Sequence, residues 1–222
     1  MRELPAGPDA VVLDFADDPE PSAAVGRATA AIRRAIGSDM LRATDVIPSA
    51  HTVLVQADRG AGIDVLGVHR ALRGARDGAA QSDARSDEIR IPVIYDGPDL
   101  DDVARTLGLG VDEVVALHRD ARWQVQFMGF APGFGYLVAQ EDPENRWARV
   151  PRRDESRTAV PAGAVAVAAG YSAVYPRESP GGWHLIGHTT APMWDENYTP
   201  PALLEPGRTV RFVPADDAGS TP

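Results

Sequence analysis

The spacing of apolar residues divides the chain into two textures. Residues 10–15 (AVVLDF) form a short apolar run with β-branched members, which predicts a buried strand. Residues 19–36 repeat at helical spacing through Val25, Ala28, Ile32 and Ile36. Asp17, Asp18 and Glu20 sit near the N-terminal end of that helix, where its dipole favours anions, and Gly37 fits its stop. Residues 40–47 and 51–57 read as strands on either side of Pro48-Ser49. Residues 63–72 read as a second helix with Ile63, Leu66, Val68 and Leu72 as its apolar set. Residues 74–88 are polar and rich in small side chains, without apolar periodicity, which predicts a linker. The order β-α-β-β-α, completed by a strand at 88–95, resembles a ferredoxin-like α+β sandwich.

Beyond the linker the pattern changes. Residues 88–95 (EIRIPVIY) alternate, and residues 99–107 and 111–118 read as two short helices separated by Gly108 and Gly110. From residue 122 onward the chain reads as short strands broken by Gly and Pro, at 123–130, 159–169, 172–175, 184–188 and 209–213. Many short strands with such turns predict a β-barrel or sandwich. The expected organisation is an N-terminal α+β domain at 1–88, its linker at 74–88, a β-barrel domain at 89–215 and a disordered tail at 216–222.

Composition narrows the chemistry. There is no Cys, which removes disulfides, thiolate nucleophiles and cysteine-ligated metals. All basic residues are Arg, so a Lys Schiff base and a P-loop lysine are excluded. The net charge of −10 argues against nucleic acid as a partner. The first residues lack a basic-then-apolar signal pattern, and no run approaches the roughly 20 apolar residues of a membrane helix. The expectation is a cytoplasmic protein without a membrane partner. The five His are scattered without a metal-ligand spacing, so no metal site is expected.

Three segments carry candidate chemistry. Residues 127–137 (FMGFAPGFGYL) pack three Gly, one Pro and four aromatics into eleven positions. Such a run builds either a tight corner packed by its own rings or flat walls for a small ligand. Residues 151–163 (PRRDESRTAVPAG) carry Arg152, Arg153 and Arg157. A guanidinium there could hold a carboxylate through two hydrogen bonds, while Arg153 reads as solvated loop charge paired with Asp154 and Glu155. Residues 179–187 (SPGGWHLIG) form a turn followed by Trp183 and His184, which on a strand point to opposite faces. His184 is either an acid/base group or a structural histidine. His118, at a helix end, suits a dipole contact as well as a catalytic role. A Ser179–His184–Asp195 triad has the right residue types but no nucleophile elbow.

These three segments, in this order, resemble one family: the 5-oxoprolinase B subunits, allophanate hydrolase subunit 1 and the sporulation-kinase inhibitor. YDGPDLDDVA at 95–104 and PGRTVRFVP at 206–214 fit as well, so the resemblance covers residues 90–214. It implies a small α+β N-terminal domain and a cyclophilin-like β-barrel. It implies a larger cyclophilin-like partner, of the C-subunit or subunit 2 type, and a further protein, the A subunit. The activity it implies is ATP-dependent opening of the cyclic amide 5-oxo-L-proline to L-glutamate, with ATP and Mg held by the complex and this chain inactive alone. An allophanate hydrolase or urea carboxylase component, and a binding module that docks on a histidine kinase, are the alternatives. The resemblance and the residue types together nominate His184, Arg152 and Arg157 as catalytic. They nominate Phe130, Pro132, Gly133, Phe134, Tyr136, Pro161, Gly163, Tyr175, Gly181, Gly182 and Trp183 as substrate-binding. The chain departs from the family pattern at Ala164, at residues 169–176 and at His188, where an Arg is usual; the permanent charge lost at His188 implies either a different substrate or a divergent paralogue, if that Arg contacts substrate or partner.

Overall fold

The computed structural model describes residues 1–74 and 88–215. Apart from its two end residues, the linker expected at 74–88 lies outside the described residues, as does the tail expected at 216–222. The chain divides into two compact units, with the division between residues 74 and 88.

The first unit contains β1 (Arg2–Pro5), β2 (Ala10–Asp14), α1 (Pro21–Gly37), β3 (Asp45–Pro48), β4 (Thr52–Gln56) and α2 (Val65–Gly74). Its four strands form one antiparallel sheet in the order β1-β2-β4-β3. Period-two alternation buries Val11 and Leu13 of β2 and Val53 and Val55 of β4 on one face. Val25, Ala28 and Ile32 of α1 and Val68 of α2 cover that face. Two expectations need correction. The strand expected to complete this sheet, residues 88–95, belongs to the second unit, and the fourth strand is β1. The order built is therefore β-β-α-β-β-α and not the expected ferredoxin-like one. Leu66, expected in the core, is 70% exposed, because Ile63, Val68, Ala71 and Leu72 supply the inward stripe of the second helix region.

The second unit starts with β5 (Ile89–Val93), α3 (Leu100–Leu107), α4 (Val111–Asp120), β6 (Trp123–Met128) and β7 (Gly135–Ala139). It continues with β8 (Arg157–Val160), β9 (Ala164–Ala168), β10 (Tyr171–Val174), β11 (Ser179–Gly181), β12 (His184–His188) and β13 (Thr209–Pro214). Seven of these strands form a sheet in the order β12-β9-β10-β7-β6-β13-β5. All neighbours are antiparallel except β13 and β5. Ile94 and His188 exchange two 2.9 Å backbone hydrogen bonds across the two edges, so the sheet is a nearly closed barrel. The core holds Ile91, Trp123, Leu137, Trp147, Val165, Val167, Ile186 and Phe212, with α3 packed on β12 and α4 on β13. The strand expected at 159–169 is two strands, broken at residues 161–163, and β8 pairs with β11 as a separate ribbon.

Candidate functional site

Strand β9 is buried on both faces, and its sequence AVAVA sorts those faces. Val165 and Val167 point into the barrel core. Ala164, Ala166 and Ala168 point the other way, beneath Phe134, Tyr175, Trp183 and Leu185. Methyl groups in that row leave depth for large rings above them. Phe134 is the hub, making edge contacts with Phe130 at 5.0 Å, Tyr136 at 5.1 Å, Tyr175 at 5.3 Å and Trp183 at 5.7 Å.

These rings and Tyr171 wall a cavity of about 290 Å³, and Arg152, Pro180, Gly181 and Gly182 complete it. That is just under the range of about 300–1,000 Å³ for pockets that take drug-sized ligands, so the cavity suits a small molecule. Local backbone geometry shapes the walls. Phe130 sits at φ 66° in a three-residue turn closed by the Ala131 N–H on the Gly129 carbonyl at 2.7 Å. Phe130 is 59% exposed, at the rim. Ala169, also a lining residue, has φ 50° and begins the two-residue β9–β10 turn with Gly170. Two non-glycine residues in the left-handed region on one small cavity mark strain held by the surrounding packing. Gly181 must lack a side chain, since a Cβ there would overlap the Tyr175 hydroxyl.

Burial pushes the pKa values of Tyr136, Tyr171 and Tyr175 up. The charge of Arg152 opposes that rise at Tyr136 and Tyr175 without reversing it. The three phenols are thus un-ionised hydrogen-bond donors near neutral pH. Among the described residues the lining holds one guanidinium, three phenols and several apolar rings, with no carboxylate, imidazole or aliphatic hydroxyl. This arrangement can bind and orient a small anion with an apolar body. It offers no general base and no activated nucleophile.

A second polar cluster lies around Asp99, at the start of α3. One Asp99 oxygen accepts Arg153 Nη1 at 2.7 Å and Arg157 Nη2 at 2.8 Å, and the other accepts the Leu185 N–H at 2.7 Å. Burial would raise the pKa of Asp99. The Arg157 and Leu185 hydrogen bonds and the two guanidinium charges outweigh it, and the pKa lies below its usual value. Arg153, expected as solvated loop charge paired with Asp154 and Glu155, is instead bonded to this buried carboxylate. His184 belongs here too: one ring nitrogen lies within 4.8 Å of Asp99 and Asp102 oxygens, and neither nitrogen has a hydrogen-bond partner among the described residues. Ser179 and Asp195 therefore do not form a triad with it. The cluster is a poor cation site, because Asp99 is neutralised by two guanidiniums and Asp102 pairs with Arg105.

The expected site residues thus separate. Phe130, Phe134, Tyr136, Arg152, Tyr175, Gly181, Gly182 and Trp183 line the cavity, while Arg157 and His184 belong to the Asp99 cluster. Pro132, Gly133, Pro161 and Gly163 line neither. A Cβ on Gly133 would press on the Met193 carbonyl, and one on Gly163 on the Thr189 carbonyl, so these glycines serve close backbone approach. His188 pairs with Asp96 at 2.8 Å on the barrel seam. His118 is fully buried between Tyr95 and Ser172. Sequence reasoning missed Tyr171, Ala169, Pro180 and Asp99 as site residues.

A family model for the carboxyltransferase domain, subdomain C and D, matches residues 1–204. The 5-oxoprolinase B subunit of Escherichia coli O157:H7 is 39% identical over 179 residues, covering 79% of this chain and 80% of that protein. The 5-oxoprolinase B subunit of Haemophilus influenzae is 41% identical over 135 residues, covering 60% of this chain and 62% of the relative. The crystal structure of TTHA0988 superposes with a TM-score of 0.75 at 33% identity. That match covers 96% of this chain but only 40% of the TTHA0988 chain, so this chain spans well under half of that polypeptide. The family match runs through both units, and with it this chain belongs to the carboxyltransferase subdomain C and D family, in company with the 5-oxoprolinase B subunits.

Proposed function

We propose that this chain is the B subunit of an ATP-dependent 5-oxoprolinase, binding 5-oxo-L-proline in the aromatic cavity and acting with a larger cyclophilin-like partner and an A subunit. The observation that carries this is the convergence of one guanidinium and three un-ionised phenols on a small aromatic cavity. A five-membered lactam is compact and largely apolar, which suits walls built by Phe130, Phe134 and Trp183. Its carboxylate suits the planar fork of Arg152. Its ring oxygen suits a phenolic donor from Tyr136, Tyr171 or Tyr175. Arg157 and His184 lie outside the lining, in the Asp99 cluster.

The lining lacks a base or nucleophile able to attack a resonance-stabilised amide. It also has one cation, too few for a triphosphate. Both features favour partner subunits that hold ATP with its Mg²⁺. ATP held by the partners would supply an activating phosphoryl group to the lactam oxygen and leave as ADP; one water would then open the C–N bond and a second would release the phosphate, giving L-glutamate, ADP and phosphate. The E. coli and H. influenzae relatives, named as B subunits, support a multi-subunit enzyme. The test is to co-purify the chain with its partner subunits and follow ATP-dependent glutamate release from 5-oxo-L-proline. The complex is expected to turn over, and the chain alone to be silent. Replacing Arg152 by Ala is expected to raise KM by about tenfold or more, the scale of a lost charge-assisted contact. A complex that forms no glutamate, or full turnover by the isolated chain, contradicts the reading.

A further inference from the structure

We propose that Asp99 is a positioning residue for the cavity, holding the loop that carries Arg152 and the strand that follows Gly182 and Trp183 in register with each other. The proposal rests on the substrate-binding reading above and deepens it. Three segments meet at this one carboxylate, which is 2% exposed as a residue. The turn before α3 supplies Asp99 itself. The 152–157 loop is tied to it twice, through Arg153 and Arg157. Strand β12 is tied to it through the Leu185 N–H, and the Asp99 N–H returns a bond to the Leu185 carbonyl at 3.0 Å. The Arg153 N–H also donates to the Gly182 carbonyl at 2.8 Å, joining loop and strand directly.

Arg152, Gly182 and Trp183 lie on the cavity, while Arg153, next to Arg152, and Leu185, two residues after Trp183, carry the bonds to Asp99. Arg153 and Arg157 make the ion pairs to Asp99, and these set the backbone from which the Arg152 side chain departs. A buried ion pair is a weak stabiliser, because desolvation offsets much of its Coulomb gain. It is a strong geometric constraint, since three donors fix both oxygens of one rigid group. Misplacing a binding group by about 1 Å is enough to cost affinity, which makes such a constraint relevant to the substrate.

The experiment uses the chain in its full complex, with KM and kcat for 5-oxo-L-proline and a thermal unfolding curve for each variant. Asp99→Asn is expected to raise KM by about tenfold with kcat within about threefold, the pattern of lost ground-state binding. Arg153→Ala is expected to move KM in the same direction, and it carries the test if the Asp99 variant does not fold. Because Asp99 acts on the cavity in large part through Arg152, the double variant D99N/R152A is expected to have a KM well below the product of the two single effects, departing from additivity. The proposal is overturned if R152A raises KM while D99N, or R153A in its place, leaves KM unchanged. It is also overturned if the effects of D99N and R152A multiply. If R152A itself leaves KM unchanged, the binding reading fails and takes this proposal with it.

Discussion

His118 sets the sharpest pH prediction. Its ring is fully buried, stacked on Phe212 at 4.4 Å, with Trp123 and Trp147 within 5.6 Å. Nδ1 lies 2.9 Å from the Tyr95 hydroxyl and Nε2 2.8 Å from the Ser172 hydroxyl. Burial pushes its pKa down to about 3. In the unfolded chain the same group titrates near its ordinary 6.5. The folded value is the lower one, so the stability it confers is fully present above pH 6.5 and is lost as pH falls toward 3. Each pH unit in that window costs about 1.4 kcal/mol, so about 2 kcal/mol is lost between pH 6.5 and 5. That is a large share of the roughly 5–15 kcal/mol that stabilises a typical domain. All four Trp, at 123, 147, 183 and 194, lie in the second unit, so urea unfolding followed by Trp fluorescence reports on that unit. His118→Gln removes the titration at the expense of a constant offset. Its stability deficit relative to the parent is expected to shrink by about 1.4 kcal/mol per unit as pH falls from 6.5 to 5. Parallel stability curves for parent and variant over that range would refute the reasoning.

Three further outcomes follow from the cavity. Phe130→Gly relieves a left-handed backbone worth about 1–2 kcal/mol but deletes the rim ring, so stability should stay within about 1 kcal/mol while KM for 5-oxo-L-proline rises. Ala169→Gly puts the permissive residue at φ 50° and should raise the urea midpoint by the equivalent of about 0.5–1 kcal/mol. Gly181→Ala forces a methyl group onto the Tyr175 hydroxyl and should cost about 1–3 kcal/mol. Adding Tyr175→Phe should recover part of that loss in a thermal melt, whereas simple additivity would mean the two groups do not collide.

The aromatic-glycine run, Arg152 and the Pro-Gly-Gly-Trp turn each stand out in the sequence, because ring-rich and glycine-rich segments announce themselves locally, and it is the family resemblance that groups them. Asp99 does not stand out. Its partners Arg153, Arg157 and Leu185 stand 54, 58 and 86 residues away, so no window of sequence holds the set. Strand β1 escaped notice because RELP is exposed at every position and has no apolar side to betray it. Gly133 and Gly163 are nominated as substrate-binding through the resemblance. A glycine signals close approach without saying to what, and here the neighbours are the Met193 and Thr189 carbonyls.

Adjacent residues are harder to tell apart in sequence than distant ones. Arg152 and Arg153 are chemically identical, and only the path of the backbone decides that one lines the cavity and the other reaches Asp99. Trp183 and His184 divide in the same way: one ring joins the aromatic wall, and the other sits by Asp99 and Asp102. Alternation predicts that neighbours separate but leaves open which goes where. The β9 strand supplies the missing sign. Its Ala row, one side only, can accept rings above it, so the aromatic wall must form over Ala164, Ala166 and Ala168 and not over Val165 and Val167. Once Trp183 is drawn to that side with Leu185, His184 is sent to the other, where Ile186 enters the barrel core. The Arg153 bond to Gly182 carries the same sign across to the loop. A single small–large alternation in β9 therefore fixes the sides of four functional candidates that lie on two other segments.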